Sequence, residues 1–454
     1  MNNASSKKSL TARLMAGAAV ASLLIGSPAS AQDFISALKS AYDTNPRIKT
    51  ERKALENLDE GVAQAISGWR PSIQAEYGRG RQRVSGDGAP WSHGDVEDRS
   101  LTVEQPIFRG GGTVARTESA DERVIAGRYN LINTEQQVLL DAVTAYMDVV
   151  RDQSVLDLSK NNVEVLKKQL QASRDRFDVG EVTRTDVAQS EARLARAESE
   201  AIQAEGNLTS SRATFERVIG FKPENPTGPT TLPVLPGTEQ DALEAALKHN
   251  PAMLQVNHTQ KAAESDVDVA ISSILPDVSL RGQMRRSQGE GFTGSSDFDT
   301  DSVTVNVGIP LYQSGAEYAR VRAAKALASQ RKYELVNSRE SVEQAVIQAW
   351  ERWQTSVSTI EATQSAISAA EIALDGVKQE QLYGSRTVLD VLDAEQELFV
   401  TRVNLVRAEH DRIVTIYNLL ATMGQLTVSN LGIETEIYNP KEHYDDVKYQ
   451  FVGF

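Results

Sequence analysis

The chain has 454 residues, a formal net charge of -14 at pH 7 and no cysteine. The acidic balance argues against nucleic acid as a partner, and the lack of cysteine excludes disulfides, thiolate metal ligands and a cysteine nucleophile. Aromatic residues make up only 6% of the chain, so long helices are expected rather than a thick globular core.

The first 31 residues have the pattern of a secretory signal peptide. Three basic residues precede an apolar stretch at 14–26, and Ala29-Ser30-Ala31 matches an A-x-A cleavage site. We therefore expect an exported protein whose mature chain begins near Gln32. No apolar stretch of about 18 residues follows, so insertion of the mature chain into a membrane would require β-strands.

The sequence matches itself at an offset of about 204 residues. GEVTRTDVAQSEARL at 180–194 aligns with GSRTVLDVLDAEQEL at 384–398, and Asn45-Pro46 aligns with Asn250-Pro251 one position further along. Such a register over long distances indicates an internal repeat. The predicted divisions are a signal peptide (1–31), a first repeat (32–220), a Pro-rich linker (221–238), a second repeat (239–426) and a periplasmic tail (427–454).

Each repeat is expected to contain two strands of alternating polarity. In DVSLRGQM at 277–284, for example, Val278, Leu280 and Met284 share one face and polar side chains take the other. The segments between the members of each pair are rich in Gly, Asp and Ser, which is typical of exposed hairpin loops. The predicted strands lie at about 72–84, 99–107, 277–285 and 302–310.

The strands of each repeat are followed by a long helix and then a shorter one. The long helices are predicted at about 112–179 and 316–382, and each would run roughly 100 Å at 1.5 Å per residue. The shorter helices are predicted at about 184–219 and 387–423. A further helix of about 23 residues follows each Asn-Pro, and we expect the two shorter helices of a repeat to stack end to end beside the long one.

Apolar residues seven apart in the helices predict lateral packing. Leu392, Phe399, Val406, Ile413 and Leu420 form such a row, but an ordinary antiparallel coiled-coil hairpin would also show it. The strands favour a different interpretation, because four amphipathic strands cannot close a transmembrane barrel. Several chains must then combine their strands, and two or three copies are the simplest choices.

The motif at 384–394 (GSRTVLDVLDA) and its first-repeat partner at 177–187 (FDVGEVTRTDV) resemble those of the TolC family of outer-membrane export channels. The resemblance implies a mainly α chain with a small β part that forms a homotrimer. Its 12-stranded outer-membrane β-barrel, with four strands per chain, would be continuous with a long antiparallel α-helical barrel in the periplasm.

The same resemblance implies a passive channel without cofactor or enzymatic activity. It would serve type I protein secretion or multidrug efflux, with a periplasmic adaptor and an inner-membrane ABC or RND transporter as partners and outer-membrane lipid around the barrel. The alternative that the residues leave open is a periplasmic coiled-coil adaptor or scaffold that does not enter the membrane.

The resemblance also implies roles for individual residues near the two glycine turns. Asp390 and Asp393 match the aspartates that ring the narrow entrance of such channels. Arg386 and Asp186 match the lock between helices that keeps the entrance shut. Gln381 stands where such channels often have a tyrosine, so the lock would lack one aromatic member.

The turns themselves, with Gly180, Thr183, Gly384 and Thr387, resemble the tips on which adaptor hairpins dock. Simpler interpretations exist for the charged residues: the two aspartates can be a solvated helix face, and Arg386 can pair locally within its helix. A catalytic pair is disfavoured because no nucleophile, histidine or apolar pocket accompanies the aspartates. The five histidines lack metal-ligand spacing, so no metal site is predicted.

Overall fold

The structure is a computed structural model that describes residues 34–85, 91–291 and 294–451. The predicted signal peptide lies outside these residues. The first half contains α1 (Phe34–Thr44), α2 (Pro46–Ile66), β1 (Ser72–Val84), β2 (Ser92–Arg109), α3 (Gly112–Asp178) and α4 (Arg184–Ile219). The second half contains α5 (Glu239–His249), α6 (Pro251–Ser272), β3 (Asp277–Gly291), β4 (Gly294–Gly308), α7 (Ala316–Leu382) and α8 (Val388–Thr422), and α9 (Glu442–Val447) follows.

The order helix, helix, strand, strand, helix, helix therefore occurs twice along the chain. Sequence analysis did not predict α1, α5 or α9, which are short and lack a long apolar period. The helices predicted after each Asn-Pro correspond to α2 and α6. Each begins with proline at its first position, where the missing N–H is not needed for a helical hydrogen bond.

The four strands form one antiparallel sheet in the order β1-β2-β3-β4. Its register places Ile73 opposite Val103, and Val303 opposite Gly282. These positions belong to an apolar face that is largely exposed in a single chain. The opposite face is polar and carries cross-strand ion pairs such as Arg281–Glu104, at 2.7 Å. Within the described sheet, β1 and β4 are the edges.

Three strands extend beyond their predicted bounds. β2 begins at Ser92 rather than near 99, β3 continues to Gly291 rather than ending near 285, and β4 begins at Gly294 rather than near 302. The prediction of loops for these segments was wrong because alternating apolar residues mark only the part of a strand that has an apolar face. The added segments are polar on both faces and are joined by ion pairs, including Arg286–Asp301 at 2.9 Å.

The two 67-residue helices, α3 and α7, determine the length of the molecule. α6 and α8 contact both of them and so lie between them, whereas α2 and α4 pack on α3. Among the described residues, none of the helices combines the length and apolar character needed to cross a membrane.

The shorter helices stack end to end as expected. The Asn45 side chain caps α2 and donates to the last turn of α4, at Val218 O, 3.2 Å away. Asn250 does the same for α6 and donates to Thr422 O of α8 at 2.9 Å. Gly424 is needed at the second junction because a Cβ there would lie 2.2 Å from the His249 carbonyl oxygen.

The segment after α8, predicted as a tail, folds back onto α2 and α3. Val428 is buried and its backbone N–H donates to Glu135 at 2.8 Å. The guanidinium of Arg52 lies about equally far from the rings of Tyr42 and Tyr438, at 5.1 and 4.9 Å. This packing closes the main apolar core, in which the largest fully buried side chains are those of Tyr146 and Phe215.

Candidate functional site at the two helical turns

The turns that join α3 to α4 and α7 to α8 have the same backbone geometry. Gly180 and Gly384 adopt φ of +79° and +78°, the left-handed region in which glycine alone is unstrained. Their N–H groups donate to Phe177 O at 2.9 Å and Gln381 O at 3.0 Å, which closes the end of each long helix. The predicted docking glycines are therefore required by the backbone itself.

Each following helix begins with a capping box. The hydroxyl of Thr183 accepts the N–H of Asp186 at 3.3 Å, and the Asp186 carboxylate accepts the Thr183 N–H at 2.8 Å. Thr387 and Asp390 repeat these contacts at 3.2 and 2.8 Å. The two aspartates thus share a structural role, because they satisfy N–H groups that the first helical turn leaves free.

The cap also fixes the charge of Asp390. The backbone N–H of Thr387 and then its hydroxyl hold the pKa of Asp390 below its ordinary value of 3.8, and Arg386 contributes in the same direction. A hydrogen bond to the ionised form always favours that form. Asp390 is therefore a carboxylate at neutral pH.

Arg386 is paired within its own turn. Its Nε donates to Glu380 Oε2 at 2.8 Å, and about half of each side chain is exposed. Within one chain the structure does not bring Arg386 to Asp186, whose carboxylate is bonded to Thr183. The predicted lock between neighbouring helix pairs therefore stays a prediction.

Asp393 contacts a residue that sequence analysis missed. Its carboxylate forms an ion pair with the guanidinium of Arg193 on α4. Three residues apart on α8, Asp390 and Asp393 thus have different partners, since one caps its own helix and the other joins a second helix. The sequence signal for Arg193 is weak, because the pair is evident only when α4 and α8 are known to be neighbours.

Beside this ion pair, an apolar cluster joins three helices. Its buried members are Val163 and Leu166 of α3, Ala197 of α4, and Val388 and Leu392 of α8. The first turn of α8 is thereby packed against the first repeat. This packing fixes the position of the predicted entrance aspartates.

Gln381 occupies the position where an aromatic residue was expected. It is 9% exposed, and its Nε2 has no hydrogen-bond partner among the described residues. Tyr383 is the nearest aromatic in sequence and is 87% exposed. In the part of the chain that the structure describes, no group of three or more acidic or histidine side chains has the arrangement of a metal site.

Comparison with known proteins identifies the family. The family model described as outer membrane efflux protein matches residues 37–221 and 242–425. The chain is 33% identical over 431 residues to the outer membrane efflux protein BepC of Brucella suis, covering 95% of this chain and 94% of that one. It is 24% identical over 421 residues to the outer membrane protein TolC of Escherichia coli, covering 88% and 84%.

Solved structures show the same fold. The outer membrane protein VceC of Vibrio cholerae aligns with a TM-score of 0.76 at 17% identity, covering 86% of this chain and 96% of that one. The sequence resemblance to TolC-like proteins is thereby confirmed. The chain belongs to the outer membrane efflux protein family, the TolC-like channels that lie in the outer membrane and extend into the periplasm.

Proposed function

We propose that three copies of this chain form a passive conduit that carries substrates from an inner-membrane pump to the cell exterior. The observation that carries the proposal is the open four-stranded sheet, whose apolar face and unpaired edges continue into two helices of 67 residues each. Neither surface is complete in one chain.

The sheet supports a barrel built from several copies. In lipid, each unpaired backbone group at an edge would cost several kcal/mol, so β1 must pair with β4 of another copy. Three copies supply twelve strands. The apolar face of Ile73, Leu101 and Val303 would then meet lipid, and the polar face would line the lumen.

The helices would continue the barrel as a tube closed at the two turns. There the Asp186 and Arg386 lock would hold neighbouring helix pairs together, and Asp390 and Asp393 of each copy would ring the entrance. The turns around Gly180 with Thr183 and Gly384 with Thr387 would dock the periplasmic adaptor, because they are the exposed ends of the helical hairpins.

The relatives suggest the cargo systems. BepC is named an efflux protein, and the alkaline protease secretion protein AprF of Pseudomonas aeruginosa is 24% identical over 433 residues. Both efflux and type I secretion are therefore proposed, with an ABC or RND transporter as the energy source. The channel itself would use no cofactor and catalyse no reaction. The alternative of a scaffold outside the membrane conflicts with the outer-membrane location of the family.

Planar lipid bilayers test the proposal. The purified trimer is expected to give small, stable conductance steps, and Arg386→Ser is expected to increase the step size severalfold because it removes one contact of the lock. Arg402→Ser is the matched control, since Arg402 forms a similar exposed ion pair with Glu371 at 2.7 Å further up the same helices. Absence of any conductance would contradict the channel, whereas an unchanged Arg386→Ser would remove only Arg386 from the lock.

A further inference from the structure

We infer that Arg193 is a further gate residue, which holds Asp393 of α8 against α4 and cancels the charge of that aspartate at the entrance. The inference rests on the proposed function, because an entrance exists only in the assembled channel. The contact itself is a property of one chain.

The ion pair has one sheltered partner. The side chain of Arg193 is 28% exposed and that of Asp393 is 57% exposed. A partly buried guanidinium is less screened by water than a fully exposed one, so this pair is expected to be stronger than a typical surface ion pair. Since Asp393 is the more exposed member, its charge would face the entrance if Arg193 were absent.

The pair also joins the two repeats. Arg193 belongs to the first repeat and Asp393 to the second, and the apolar cluster of Leu392, Val388 and Ala197 lies beside it. Any opening movement that separates the start of α8 from α4 must break both contacts. The apolar cluster gives general adhesion, whereas the ion pair sets one position of α8 along α4.

The repeat relation shows that this contact is specific to one seam. At the offset of 204, Arg193 aligns with Glu397 and Asp393 aligns with Gln189. Where α8 of one copy meets α4 of the next, the equivalent positions would bring Glu397 towards Gln189. These side chains cannot form an ion pair, so the latch would occur three times in a trimer and only within chains.

The charge of the entrance follows from the two different partners. Thr387 donates neutral hydrogen bonds to Asp390, which leaves its negative charge in place. Arg193 supplies a positive charge to Asp393. Three copies of the aspartate pair would carry six negative charges, and three arginines reduce this number to three.

Single-channel recordings of Arg193→Gln test this inference. Block by hexaamminecobalt(III) added on the entrance side is expected to become at least tenfold tighter, because three uncompensated carboxylates are added to the ring. The open conductance is expected to rise because the latch is lost. Arg196→Gln is the matched control, since Arg196 pairs at 2.9 Å with Glu200 on its own helix.

Asp393→Asn separates the two effects. It also breaks the latch, so conductance is expected to rise, but it removes charge that Arg193 already balances and is expected to weaken the block. If Arg193→Gln conducts and is blocked like the unmodified channel, or if Asp393→Asn tightens the block, the inference is wrong.

A chemical test of the contact does not depend on conduction. The chain has no cysteine, so Arg193→Cys with Asp393→Cys introduces the sole pair of thiols. A short bifunctional maleimide is expected to link them within one chain, which shifts its mobility after denaturation, and to block the conductance increase of Arg386→Ser. Failure to cross-link within one chain would overturn the inference even if the channel conducts, whereas cross-linking without conductance would count against the proposed function alone.

Discussion

The two long helices, α3 and α7, occupy equivalent places in the two halves of the chain but differ in their packing. Both have 67 residues and follow a glycine in the left-handed region, Gly111 and Gly315. α3 is packed by α2 and α4 as well as by α6 and α8, whereas α7 packs mainly on α5, α6 and α8. One flank of α7 is therefore open in a single chain.

Equivalent positions show which flank is open. Tyr146 and Trp350, which are 204 residues apart, are both buried, at 0% and 5% exposure. Val143 is also 0% exposed, but its counterpart Ile347 is 44% exposed. The exposed apolar residues of α7 that share this flank, to within about a sixth of a turn at 3.6 residues per turn, are Tyr318, Tyr333, Val336, Ile347 and Ile372.

The difference shows how a duplicated unit leads to assembly. In α3, both flanks are covered within the chain, while α7 has kept apolar side chains on a flank that its own chain does not cover. A continuous apolar stripe of this length indicates an interaction surface. The simplest partner is the equivalent surface that already covers α3, namely α2 and α4, supplied by the next copy in the proposed trimer.

The most disruptive change to this comparison is Ile347→Glu. A carboxylate without a partner at a buried interface costs several kcal/mol, and the trimer contains three such interfaces. We expect the variant to lose the trimer, which can be measured as the mass of the purified particle by light scattering. Gln348→Glu is the control, because Gln348 is exposed and already polar.

A fully trimeric Ile347→Glu would show that this flank of α7 stays open to solvent after assembly. The difference between α3 and α7 would then have another cause. A loss of trimer in both variants would point to a general effect of added negative charge.

A smaller effect is expected at the junctions where the helices stack. Asn45→Ala and Asn250→Ala each remove a helix cap and a hydrogen bond to the preceding helix, together worth about 2 kcal/mol. Because the two sites have nearly the same geometry, similar decreases in the midpoint of thermal unfolding are expected by circular dichroism. Asn207→Ala on the exposed face of α4 is the control. A clearly larger loss at Asn45 would mean that α3 and its neighbours form the more cooperative half.

Much of this fold was predictable because the patterns are long and local. The 67-residue helices lack proline, and the Asn-Pro caps and glycine turns mark their neighbours' ends. What could not be predicted lacks such a pattern. The outer parts of β2 and β4 are polar on both faces, and the contacts of the C-terminal segment join residues such as Val428 and Glu135 that lie far apart in sequence.

The candidate site divides in the same way. Thr387 and Asp390 have the spacing of a capping box, which sequence alone reveals, and the structure contains that box. The partners of Arg386 and Asp393 depend on which helices are neighbours and on how the turn directs each side chain. Sequence analysis therefore found the residues but did not find Glu380 or Arg193.

The smallest expected effect concerns a buried ionic network that is present in only one half of the chain. Nε2 of His410 on α8 lies 3.0 Å from an oxygen of Asp148 on α3, and Arg151 contacts the same carboxylate at 2.7 Å. The counterparts of His410 and Asp148 in the repeat are Gly206 and Arg352. The seam between α8 and α3 is thus sensitive to pH in a way that the equivalent seam beside α7 is not.

The direction of that sensitivity follows from two pKa shifts of opposite sign. Burial alone would lower the pKa of His410, but hydrogen bonds to Asp148 and Asp411 outweigh it and raise the pKa above 6.5. Burial alone would raise the pKa of Asp148, but His410 and Arg151 outweigh it and lower the pKa below 3.8. The contribution of His410 is complete below about pH 6.5 and is lost as pH rises through its folded pKa, whereas that of Asp148 is lost only in strong acid.

His410→Gln tests this direction. The unmodified protein is expected to melt at a higher temperature than the variant at pH 5.5, by an amount on the order of 1 kcal/mol in unfolding free energy. The difference is expected to shrink by pH 8.5, because the histidine is then neutral in both the folded and the unfolded chain. His249→Gln, at an exposed histidine, is the control. A difference that stays constant from pH 5.5 to 8.5 would mean that His410 stabilises the seam between α3 and α8 by packing rather than by charge.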